Sequence, residues 1–207
     1  MDSRNTTDSM KDSLRTSIYL WLFRSVPYAP DSICTDVPST DDEIKTYMSR
    51  TLSDERATLF LFVWPIIEQR LLDSFANVTV LKAKARDYQH LYQPINMDNA
   101  AKHFHIRYQN RTYYNALRKH PRRDNPNHAE SCEKMDRIID EQFDNLSNED
   151  KLFMLMYVTY RYRNNIFHGN KEISNWLRNT TEIDYCIEFM MKLYDCYTAT
   201  SQADTSH

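Results

Sequence analysis

The sequence predicts an all-α fold, and three observations carry that prediction. Apolar residues recur at helical rather than alternating spacing along most of the chain. A single glycine and seven prolines among 207 residues leave little material for the tight turns that hairpins need. Hydrophobic residues make up 41% of the chain and aromatics 13%, enough for a packed core in one domain of this length.

Taken in order, residues 1–8 are polar and read as a disordered terminus, residues 9–200 as one helical domain, and residues 201–207 as a polar tail. Met10 to Val26 places Leu14, Ile18, Leu22 and Val26 on one helical face, beside Tyr19, Trp21 and Phe23. Pro27, Pro30 and Pro38 then mark an irregular link. Thr40 to Met48 predicts a short helix with Asp41, Asp42 and Glu43 in its first turn, where the helix dipole favours acids.

Ser53 to Ala76 predicts a long apolar helix with Leu59, Phe60, Phe62, Val63, Ile66, Ile67, Leu71 and Leu72 in a wide band; Pro65 is expected to kink or restart it. Glu68 lies on an apolar face, with Trp64 at i−4 and Leu71 and Leu72 at i+3 and i+4. It reads equally as a structural carboxylate holding an Arg or a backbone amide and as a supporting residue of a site. Thr79 to Tyr92 reads as a further helix, ended by Pro94.

The next two segments carry opposite charge. Between Ala100 and Arg123 there is no acid, while Lys102, Arg107, Arg111, Arg118, Lys119, Arg122 and Arg123 are interleaved with Phe104, Tyr108, Tyr113 and Tyr114. Cations for phosphates and rings for stacking suit single-stranded nucleic acid; an ordinary solvated helix with its aromatics facing the core fits as well. His103 and His105 are two apart and do not share a helical face, which disfavours a metal pair. Asp124 to Asp150 holds nine acids against Lys134 and Arg137, and is read as a helix with Ile138, Ile139, Phe143 and Leu146 inward and its acids solvated. The formal net charge of −3 therefore hides a basic block beside an acidic one, and does not exclude RNA as a ligand.

Ser147 with Asp150 three residues on is an Asp variant of the capping box, and Lys151 to Ile166 has no breaker. Leu152, Leu155, Met156, Thr159 and Ile166 form one stripe with Arg163 in its middle, where a guanidinium needs a partner or a purpose. Arg161 points the opposite way and reads as solvated or phosphate-contacting. Met154 and Val158 lie off the stripe and predict apolar surface beyond what one small domain covers. The helix runs into His168 and Gly169, the one glycine of the chain, where a left-handed cap would need it. Thr181 to Thr198 reads as a last amphipathic helix, capped by Thr181 and Asp184, that packs Ile183, Ile187, Met190, Met191, Leu193 and Tyr194 on this one.

The stretch Arg163-Asn164-Asn165-Ile166-Phe167-His168-Gly169 resembles the signature of the HEPN superfamily, an Arg and a His four to six residues apart with a polar residue after the Arg, in the form of its RNase-active branch. The resemblance covers these seven residues as motif and most of the chain as architecture. It implies a helical domain with the motif at the end of a late helix, paired in a homodimer so that two motifs build one composite cleft. It also implies an acidic residue in an early core helix, where Trp64-Pro65-Ile66-Ile67-Glu68 looks similar, and an antitoxin or sensor protein as further partner. One branch carries a Tyr two places after the His; Asn170 stands here instead, which argues against that arrangement.

Arg163, His168 and Asn164 are thus the expected catalytic residues, with Glu68, Asn165 and Tyr160 in support. Arg161, Lys171, Arg107, Arg111, Arg118, Lys119, Arg122 and Arg123 are the expected RNA contacts. The sequence holds no Gly-rich phosphate loop, nucleophile elbow or metal-ligand spacing, so neither cofactor nor metal is expected. An Arg and a His suffice for RNA cleavage by the RNA's own 2′-OH, as a toxin or anti-phage defence effector. A catalytically silent RNA or nucleotide binder and a helical interaction module are the alternatives. Cys34, Cys132, Cys186 and Cys196 have no paired spacing, and the longest early apolar run, Ile18 to Phe23, is too short for a span; a reduced cytoplasmic protein without a membrane segment is expected.

Overall fold

The computed structural model describes residues 40–52, 55–118, 126–167 and 179–204. The expected Met10–Val26 helix, the proline-rich link, Lys119, Arg122, Arg123, His168, Gly169, Lys171 and the last three residues lie outside them. Among the described residues all regular structure is helical, and the fold is all-α. In chain order the helices are α1 (Asp41–Leu52), α2 (Glu55–Leu71), α3 (Val78–Asp87), α4 (Tyr92–Ile95), α5 (Asp98–Gln109), α6 (Arg111–Arg118), α7 (Pro126–Asp140), α8 (Asn148–Phe167) and α9 (Thr180–Asp204).

The chain divides into two compact units, Met1–Ala57 with Gly169–Thr180, and Thr58–His168 with Thr181–His207. In the first, α1 opens on a full capping box. The Thr40 hydroxyl accepts from the Glu43 amide at 3.3 Å, and the Glu43 carboxylate accepts from the Thr40 amide at 3.1 Å.

The second unit is organised around α8, whose side chains from Leu152 to Thr159 are all buried. Helices α3, α4, α5, α6 and α7 pack against it. Trp64 and Ile67 of α2 and Phe189, Met190 and Leu193 of α9 meet its Met156 and Thr159 around a small apolar cavity. Met154 and Val158 are covered within the chain itself, so they supply no surplus apolar surface. Helix α8 starts as its sequence dictates. The Ser147 hydroxyl accepts from the Asp150 amide at 3.1 Å and donates to the Asp150 carboxylate at 2.9 Å.

Several boundaries differ from expectation for local reasons. Pro65 does not restart α2, which runs through it as one helix; Leu61, whose carbonyl Pro65 cannot serve, is exposed. Only part of the expected apolar band of α2 is core: Phe60, Trp64, Ile67 and Leu71 are buried, while Leu59, Phe62 and Ile66 are exposed. Pro94 does not end a long helix but sits within the short α4, which closes on Asn96 in the left-handed region. The basic run breaks at Asn110 into α5 and α6. Helix α9 continues past Ser201 to Asp204, and Met191, expected inward, is exposed.

Candidate active site

Glu68 lies in the last turn of α2, just before a turn in which Asp73 and Ser74 both take left-handed backbone conformations, φ 54° and 62°. Neither is glycine, so the turn stores strain on the order of 1 kcal/mol per residue. Its effect is to fold the chain back over the helix end. The Ser74 amide donates to the Glu68 carbonyl at 2.9 Å, and the Ala76 amide reaches the Glu68 carboxylate at 3.1 Å. The other carboxylate oxygen accepts the Trp64 indole N–H at 3.0 Å. Glu68 is thereby fixed from two sides.

Arg163 comes to this carboxylate from the last turns of α8. Its Nη2 stands 3.9 Å from Glu68 Oε2, an ion pair without a hydrogen bond. Its guanidinium lies over the Trp64 ring, 5.8 Å from the centroid, and its Nη1 donates to Asn164 Oδ1 at 3.0 Å. Tyr160, one turn earlier, packs its ring against Trp64 at 6.3 Å. The structure thus brings together Arg163, Asn164, Glu68 and Tyr160, all singled out from sequence. It adds Trp64, whose spacing four residues before Glu68 was the available signal. Arg163 keeps 26% of its side chain exposed and Glu68 22%, so the charged pair is accessible from solvent. Asn165 falls in the last turn of α8, with its side chain outside the described residues.

Arg161 is a correction. It does not face solvent: it is 2% exposed, and its Nε donates to the Leu117 carbonyl at the end of α6 at 2.8 Å. The face of α8 opposite Arg163 is covered by α5 and α6, so the guanidinium there serves the fold.

In the described part of the basic run, the three arginines are bound to carboxylates. Arg107 pairs with Glu182 at 3.0 Å and stacks on Tyr113; Arg111 pairs with Asp140 at 2.6 Å, and Arg118 with Asp136 at 3.4 Å. Asp136 and Asp140 belong to the acidic α7, whose acids were expected to be solvated. The two charge blocks instead form a seam. His103 reaches the same Glu182 oxygen at 3.0 Å, and His105 lies with Nε2 3.1 Å from the carbonyls of both Ile138 and Glu141, closing the end of α7. Beneath Glu182, burial raises the hydroxyl pKa of Tyr108 and Tyr162 and pushes the Cys186 thiol up to about 12. These groups are core, without the exposure chemistry needs.

At the start of α8, burial works against ionisation of Asp150. Hydrogen bonds from Arg137 and Ser147, and the charges of Arg137 and Lys134, outweigh it and hold the carboxyl below its ordinary range. Among the described residues no group of three His, Cys, Asp or Glu could hold a metal ion, and no helix is long and apolar enough to cross a membrane. Comparison of the chain with protein-family models, with curated proteins and with solved structures gives no match.

Proposed function

We propose that the chain is a metal-independent endoribonuclease of the HEPN kind, acting as a toxin or defence effector. In this reading the 2′-OH of the substrate attacks the adjacent phosphorus and the P–O5′ bond breaks, giving a 2′,3′-cyclic phosphate and a 5′-OH. His168 takes the 2′-OH proton or returns one to the leaving 5′ oxygen, a role that imidazole fills near neutral pH. Arg163 neutralises charge developing on the phosphorane oxygens, with two donors in a fixed fork. Asn164 orients that fork.

One observation carries the proposal: a guanidinium at the end of an otherwise buried helix, fixed by Trp64 and Asn164 beside a doubly anchored carboxylate, yet left a quarter exposed. It belongs to the Arg-Asn-Asn-x-x-His-Gly stretch. One imidazole cannot be base and acid at once, so a second copy supplying the other His168 is part of the proposal. The exposed stripe of Leu59, Phe62 and Ile66 on the helix that carries Glu68 supports such a homodimer, and light scattering at micromolar concentration tests it. An antitoxin or sensor protein would control the activity.

Total RNA incubated with purified protein in EDTA should be cut to fragments with cyclic-phosphate and 5′-OH ends. Intact RNA, or cutting only on addition of a divalent ion, refutes the mechanism. A second reading is favoured by the pair itself: Glu68 and Arg163 could be a structural ion pair in a silent RNA-binding or helical interaction module. RNA binding without cleavage would select it.

A further inference from the structure

The strained turn after α2 is gripped from α3. Consecutive left-handed residues that carry a Cβ, here Asp73 and Ser74, persist only where surrounding contacts fix them. Glycine would take either position without strain, so a side chain there needs a use. That of Asp73 has one: its Oδ1 stands 2.9 Å from Lys84 Nζ on α3. One turn further on, the Tyr88 ring lies 5.6 Å from the same ammonium, and the Tyr88 hydroxyl donates to the Leu71 carbonyl at 3.4 Å. The end of α2 and the turn are thus held by two groups four residues apart on one helical face. Burial works against the Lys84 charge, but its hydrogen bond to Asp73 and the neighbouring Tyr88 and Asp73 outweigh it and raise the ammonium pKa.

Lys84 keeps 17% of its side chain exposed and Asp73 71%. An ion pair with so exposed a partner adds little to global stability, so what it fixes is the local backbone. That backbone serves Glu68. The Phe75 amide donates to the Leu72 carbonyl at 3.0 Å, which keeps the reversal tight, and the Ala76 amide then meets Glu68 Oε1 at 3.1 Å. Glu68 Oε2 takes the Trp64 indole N–H at 3.0 Å and stands 3.9 Å from Arg163. A turn displaced by about 1 Å would carry the Ala76 amide beyond hydrogen-bond reach and leave the carboxylate on Trp64 alone.

We propose that Lys84 and Asp73 are positioning residues of the candidate active site: their ion pair fixes the turn, the turn fixes Glu68, and Glu68 with Trp64 sets where the Arg163 guanidinium meets a scissile phosphate. The last link rests on the ribonuclease reading; the first two do not.

The test uses full-length protein and two readouts. The first is the Trp64 indole N–H signal in nitrogen-15 NMR, assigned by its loss in Trp64→Phe, which reports on Glu68 whether or not RNA is cut. In Lys84→Met and Asp73→Asn this signal should shift and exchange with water several-fold faster, while the melting temperature stays within about 4 °C of wild type. Asp73→Gly removes the carboxylate and the strain at that residue together, so it keeps the fold and should show the same indole change. The second readout is RNA cleavage, whose kcat/KM should fall roughly 10-fold to 10²-fold in all three variants, and Lys84→Arg should restore it. An indole signal that stays put in the three variants overturns the proposal. So does a signal that moves while kcat/KM holds within about twofold. If the signal moves but the wild type cuts no RNA, the hold on Glu68 stands and the ribonuclease reading falls.

Discussion

Two arginines two residues apart on α8 have opposite fates. Arg161 faces α5 and α6 and is sealed, with its Nε on the Leu117 carbonyl. Arg163 faces α2 and remains partly open over Trp64, beside Glu68. Helical periodicity places them on opposite faces but says nothing of which face is covered, because α8 is buried nearly all round through Thr159 and only its last turns reach an edge of the bundle. A guanidinium that satisfies a carbonyl in the core is spent on the fold. One that is held by a ring and a carboxylate while still meeting solvent is the one that the proposed reaction would use.

The sharpest way to break this contrast is to remove the open one. Arg163→Ala and His168→Ala should each lower RNA cleavage by on the order of 10²–10⁴. Arg163→Ala should cost at most about 1 kcal/mol of stability, since a pair at 3.9 Å with both partners partly exposed is screened. The two losses should differ in kind. In the proposed mechanism Arg163 attracts phosphate in ground and transition states alike, so its removal should raise KM as well, whereas His168 acts on the proton, so its removal should fall on kcat. Wild-type cleavage by either variant, read with a folded-state check by circular dichroism, would return the pair to a structural role.

Removing the sealed arginine should do the converse. Arg161→Ala leaves the Leu117 carbonyl without that donor and opens a void between α8 and α6, a loss of about 2–4 kcal/mol. The melting temperature should drop by roughly 4–16 °C, at about 2–4 °C per kcal/mol for a chain of this size. RNA affinity of the protein that remains folded should hold within about twofold. A clear loss of affinity with an unchanged melting temperature would contradict the buried assignment.

What could be read from the sequence follows the range of the interactions. The all-α class, the capping box at Ser147 and Asp150, and the isolated carboxylate at Glu68 were legible because each is local, set by spacing within one helix. The site's composition was legible in part: Arg163, Asn164, Glu68 and Tyr160 converge as their positions suggested, whereas the stacking role of Trp64 depends on the crossing of α2 and α8. Arg161 was misplaced for the same reason. The charge blocks misled because pairing between them is tertiary; Arg111 and Asp140 are 29 residues apart in sequence and 2.6 Å apart in space.

Asp150, at the other end of α8, extends the comparison to a buried carboxylate. Its folded pKa is depressed, so it stabilises the fold at pH values above the unfolded pKa of about 3.9, and that contribution is lost as pH falls through the lower folded value. Asp150→Asn should therefore cost about 1–2 kcal/mol at pH 7. The gap in melting temperature between wild type and variant should hold down to about pH 5 and close below about pH 4. A gap that widened on acidification would reverse the sign assigned to this group.

The smallest effect is expected on the seam between the charge blocks. Arg111 is more than half exposed, as is its partner Asp140, and Arg118 shares the partly exposed Asp136 with it. Exposed pairs of this kind contribute up to about 1 kcal/mol and less as salt rises, with the Debye length near ~8 Å at physiological ionic strength. Arg111→Gln and Arg118→Gln should each shift the melting temperature by no more than a few degrees, and the shift should shrink between low and high salt. Because their charges are already met by Asp140 and Asp136, neither should alter the rate or the products of RNA cleavage. A drop in cleavage comparable to that of Arg163→Ala would mean that RNA displaces the carboxylates of α7, and the seam would then be a second phosphate-binding face rather than a feature of the fold.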